Sequence, residues 1–98
     1  MKRYLTPAMY EVHWKSPRKG IDYLLGSSTN IAGANSIAKR QAKRLVDTPW
    51  EPAEDKVTCL KSMYVLNIES GDRDCMDLST EEYVDNLISQ LEAEIANK

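Results

Sequence analysis

Between Ala38 and Arg44 the chain reads Ala-Lys-Arg-Gln-Ala-Lys-Arg, the densest run of cations in its 98 residues. Projected at about 100° per residue, Lys39, Arg40, Lys43 and Arg44 fill one side of a helix. Ala34, Ile37, Ala38, Ala42 and Leu45 share the other. Four cations on one face can neutralise phosphates or meet carboxylates, with an affinity that falls as salt rises. Arg40 and Arg44 are four apart and project together. Gln41, at the edge of the face, has the paired donor and acceptor that read a base edge. Arg18 and Lys19, in a turn further up the chain, add two more candidate contacts. The alternative is an ordinary solvated helix exterior, or one paired with acids elsewhere in the chain.

A second charged set lies near the C-terminus. Glu81, Glu82, Asp85 and Glu92 belong to one amphipathic segment and form a candidate acidic docking surface, able to imitate phosphates. The chemistry of catalysis and metal binding is not indicated. His13 is the lone histidine, on the outward side of a strand, with no nucleophile or orienting partner nearby in sequence. Cys59 and Cys75 lack metal-ligand spacing, and the acids around Cys75 disfavour a thiolate. Asp72 to Tyr83 departs from a calcium loop at the turn glycine and at the terminal Glu. The glycines at 26 and 33 follow neither a phosphate-loop nor a dinucleotide-binding spacing. No metal, cofactor or catalytic set is therefore expected, and the chain reads as a binding protein rather than an enzyme.

Charge is polarised along the chain. Residues 1–47 carry nine basic and three acidic side chains, a balance of +6, whereas residues 48–98 stand at −8. Such asymmetry between halves points to a charged partner for one of them. Every aromatic is Trp or Tyr, which suits half-buried sheet faces and contact surfaces. No apolar run approaches a membrane span and the first residues lack an apolar signal stretch, so a cytoplasmic, membrane-free setting is expected.

The elements that must hold these residues follow from periodicity. Alternating apolar residues from Ala8, then Ser16-Pro-Arg-Lys-Gly20, then Ile21, Tyr23 and Leu25 predict a hairpin over 8–25. The basic helix is expected over 35–46, with Asn35 or a residue of 28–30 as its cap. A linker with Pro49 and Pro52 follows over 47–56, and a strand over 57–69. Ser79-Thr-Glu-Glu82 reads as a capping box that opens the acidic helix over 79–96, with Leu78 and Tyr83 as a staple. The expected fold is one α+β domain of order β-β-α-β-α, a three-stranded, mainly antiparallel sheet covered by two helices, the last lying on the sheet.

These readings converge on a non-catalytic protein that docks a protein or nucleoprotein partner through charged surfaces. Its narrow form is a phage-type inhibitor of a host nucleic-acid-processing or defence complex, such as a CRISPR effector. The competing expectation is direct binding of DNA or RNA by the basic helix and hairpin.

Overall fold

A computed structural model describes residues 9–97. Strands β1 (Tyr10–Lys15) and β2 (Asp22–Ser28) form an antiparallel hairpin. Its turn falls at 16–20, where the Gly20 amide donates to the Ser16 carbonyl at 3.0 Å and Gly20 takes φ +65°. A side chain there would be strained, which is why glycine closes the turn. The hairpin runs three residues beyond the expected Leu25; its expected start at Ala8 lies outside the described residues. The register slips between Val12 and His13, so Leu25 has no partner across the pair. Leu25 packs on the core, while Ile21 and Tyr23 stay exposed.

The segment expected to be a single strand over 57–69 is two elements. Helix α2 spans Ala53–Ser62, and only Tyr64–Asn67 form strand β3. The expected linker over 47–56 shortens accordingly. Ala53, Lys56, Val57 and Leu60 are buried at helical spacing, but a lysine among them disguised the period. Lys56 is satisfied because its Nζ donates to the Val46 carbonyl at 2.9 Å, at the negative end of the preceding helix. Glu54 and Asp55 sit in the first turn of α2, where the dipole favours acids. The element order is thus β-β-α-α-β-α: an α+β fold with three strands and three helices.

β1 is the centre of the sheet, with order β2-β1-β3, and β3 pairs with it antiparallel through Val12↔Val65 and His13↔Tyr64. Helix α1 (Ile31–Val46) starts four residues before the expected Asn35, because Asn30 is the cap and accepts from the Gly33 amide at 2.7 Å. Asn35 is instead buried inside the helix. Ala34, Ala38 and Ala42 are fully buried on α1 and let it approach Val12 closely. At Gly26 on β2, a Cβ would stand 3.0 Å from Ile37, so only glycine keeps that contact unforced.

Helix α3 (Leu78–Ala96) is capped by Asp77, which accepts from the Thr80 amide at 2.8 Å. Ser79 is therefore not the cap, and Leu78 is exposed rather than stapled to Tyr83. Both Asp and Ser suit the position; Asp77 prevails with help from Asn35, whose Oδ1 accepts from the Asp77 amide at 2.8 Å. The apolar stripe of α3 packs on α1 and α2, and not on the sheet as expected. Helices α1 and α2 occupy the sheet, leaving α3 to close the core over Val84, Leu87, Ile88 and Leu91. No described helix is long and apolar enough to cross a membrane.

Candidate functional site

The cations of α1 stand as a ridge. Arg40 and Arg44 are exposed at its crest, and Lys39 and Lys43 lie on the flank that faces α3. Lys39 donates to the Ser79 hydroxyl at 3.0 Å. Lys43 pairs with Asp47 at 2.6 Å, and that hydrogen bond raises the ammonium above its ordinary pKa. Among the described residues, Lys39, Arg40 and Arg44 have no carboxylate within ion-pair distance. Among the described residues no acid of the second half forms an ion pair with this face.

Two shallow depressions flank the ridge, and each brings in a ring from a distant part of the chain. On the α3 side, Ser36, Lys39, Arg40, Lys43 and Tyr83 line about 400 Å³. On the hairpin side, Trp14, Gln41, Arg44, Leu45 and Thr48 line about 180 Å³. Gln41 is half-buried beside Trp14 and does not stand out from the helix. Sequence alone placed the four cations together but could not place Tyr83 or Trp14 beside them, because that requires the packing of α3 and the hairpin on α1.

The other candidate cations lie apart from the crest. Arg18 and Lys19 are exposed in the hairpin turn, and Arg18 makes a 3.5 Å contact with Asp55. Arg18 lines a third depression that shares Trp14 and Leu45 with the one beside Arg44. The acidic set is also divided. Glu81 and Asp85 border a groove between α2 and α3 that contains Lys61, and Glu92 pairs with Lys61 at 3.3 Å. Glu82 is exposed. These acids share part of their field with a cation, unlike the crest of α1.

Opposite the helices, the sheet carries a cluster that sequence reading missed. His13, expected on an outward surface, is only 9% exposed. Its Nε2 donates to Glu11 Oε1 at 2.9 Å, and Nδ1 lies 2.8 Å from Asp22 Oδ2 without a hydrogen bond. The ring stacks on Tyr64 at 5.1 Å and 7°, and the Arg73 guanidinium covers Tyr64 at 4.8 Å. Tyr64 in turn donates its hydroxyl to Asp22 Oδ1 at 2.9 Å. Burial first, and then this bond, raise the phenol above its usual pKa. Cross-strand pairing of His13 with Leu24 and Tyr64 assembles the cluster, a register that the hairpin alone did not reveal.

Both thiols are free and less acidic than usual: burial raises Cys59 and Cys75, and neighbouring acids add to it. Asp72 and Asn67 spend side-chain oxygens on nearby backbone amides in the loop before α3. Among the described residues no group of three or more His, Cys, Asp or Glu is placed to hold a metal. No family model, curated protein or solved structure matches this chain.

Proposed function

We propose that this is a non-catalytic binding protein that docks an anionic partner, a protein or nucleoprotein complex, on the ridge of α1. The observation that carries the reading is the uncompensated crest: Arg40 and Arg44, exposed and four residues apart, without an acid in reach among the described residues. Arginine forks recognise carboxylate and phosphate alike. Solvated ion pairs would have blunted this face, and among the described residues they involve Lys43 alone. The acidic residues Glu81, Glu82, Asp85 and Glu92 form a secondary surface, and Arg18 and Lys19 extend the basic one. A phage-type inhibitor of a nucleic-acid-processing complex would use the same faces.

The free thiols accord with action in the cytoplasm. Direct binding of nucleic acid is the second reading, favoured by the aromatic rings beside the cations.

The test is recovery of tagged protein from its host cells, with and without nuclease. A partner that stays bound after nuclease treatment and is lost with Arg40→Glu/Arg44→Glu supports docking on a protein surface. Recovery that is indifferent to that double substitution removes α1 as the site.

A further inference from the structure

We infer that the ridge of α1 is a platform for single-stranded nucleic acid, with phosphates along the crest and bases against the rings at its flanks. The inference rests on the reading of α1 as the docking face and names the chemistry of what lies there.

Cations and aromatics interleave across this surface. Tyr83 lies with Lys39, Arg40 and Lys43 on one flank, and Trp14 lies with Gln41 and Arg44 on the other. Single strands are held by this combination, in which a cationic track follows the backbone and ring faces stack on bases. Both rings pack partly against the core, and each still lines its depression, where an incoming base would meet its exposed part. Arg40 and Arg44 can fork onto phosphate oxygens, and about 6 Å of helix axis separates them.

A duplex fits less well. Its base faces are stacked inside, so Tyr83 and Trp14 would have nothing to meet. A helix that reads the major groove must also project side chains to the base edges. Gln41, the side chain suited to that, is half-buried against Trp14. An acidic protein surface would satisfy the arginines but gives no role to the rings.

The experiment uses labelled oligothymidylate of about 20 nucleotides, longer than a site of ~4–16. A duplex of equal length serves as comparison, and anisotropy is read at about 0.05 M and 0.15 M salt. The single strand should bind at least roughly tenfold tighter than the duplex and weaken with salt. Arg40→Glu/Arg44→Glu should lose roughly tenfold or more. Tyr83→Leu, which keeps an apolar body on α3, should lose roughly five- to a hundredfold, the effect of one stacked base. In a Trp50→Phe background Trp14 is the only tryptophan, and its emission should be quenched by the strand. Trp50 is 78% exposed, so this change spares the core.

Equal binding of strand and duplex, or strand binding untouched by Tyr83→Leu and silent at Trp14, overturns the platform. So does a folded protein that binds no oligothymidylate at low salt. If a nuclease-resistant partner is still recovered through Arg40 and Arg44 in that case, the ridge stands as a docking face for acidic protein and this inference alone fails. The quenching experiment leaves Tyr83 in place, so it decides the matter even if the Tyr83 variant unfolds.

Discussion

Asn35, buried in the second turn of α1, accepts a hydrogen bond from the Asp77 amide at 2.8 Å, one residue before α3 begins. Its Nδ2 donates to the Cys75 carbonyl at 3.2 Å and to the Ile31 carbonyl at 2.9 Å. One side chain thus fixes where α3 starts relative to α1, and so where Tyr83 meets Lys39 and Lys43. Replacing Asn35 by Leu leaves the part-buried Asp77 amide and Cys75 carbonyl without this partner. The expected loss is about 1–3 kcal/mol in chemical denaturation. A loss near zero would mean that α3 is positioned by its apolar stripe alone.

Asp77 gives the fold an acid-sensitive joint. Hydrogen bonding from Thr80, whose amide donates at 2.8 Å, holds its carboxyl below the ordinary Asp pKa, with a smaller contribution from Lys39. The folded pKa is depressed, so the stabilisation is present above the unfolded value of about 3.9 and is lost as pH falls through the folded one. Asp77→Asn should flatten the acid limb of a stability–pH profile below about pH 4. An unchanged acid limb would assign the cap no ionic component.

Leu91 is 2% exposed and packs with Val84, Leu87 and Ile88 beneath α3. Truncation to Ala should cost about 2–5 kcal/mol. The midpoint should not depend on protein concentration, because the stripe is satisfied within the chain. A midpoint that rises strongly with concentration would instead make it an interface between copies.

Tyr64→Phe removes the hydroxyl that bonds Asp22 and keeps the stack on His13. The expected cost is about 1 kcal/mol or less, since Asp22 is partly hydrated. Partner or nucleic-acid binding on α1 should not change, because the cluster lies on the opposite face of the sheet. A binding defect without loss of stability would move the functional site to His13 and Tyr64.

Local rules made the hairpin turn, the basic helix and the acidic helix legible, because each is an amphipathic or turn pattern written in consecutive residues. α2 escaped because Lys56 occupies a buried helical position, and its satisfaction depends on the Val46 carbonyl in another element. The cap at Asp77 escaped for a similar reason: the competing Ser79 is an equally good local choice, and Asn35 contributes to the outcome from across the core. At the candidate site the four cations were legible. The rings beside them were not, since Trp14 and Tyr83 reach the ridge only through tertiary packing.

The most direct test of the central claim compares two sets of charge reversals at physiological salt, about 0.15 M. One replaces Lys39, Arg40, Lys43 and Arg44 by Glu; the other replaces Glu81, Glu82, Asp85 and Glu92 by Lys. The thermal midpoint of the first should fall only modestly, because surface contacts such as Lys43–Asp47 and Lys39–Ser79 contribute little to folding. Reversal of α1 should abolish recovery of the partner, while reversal of the acidic set should leave most of it. Binding that survives reversal of α1 and disappears with the acidic set would contradict docking on α1.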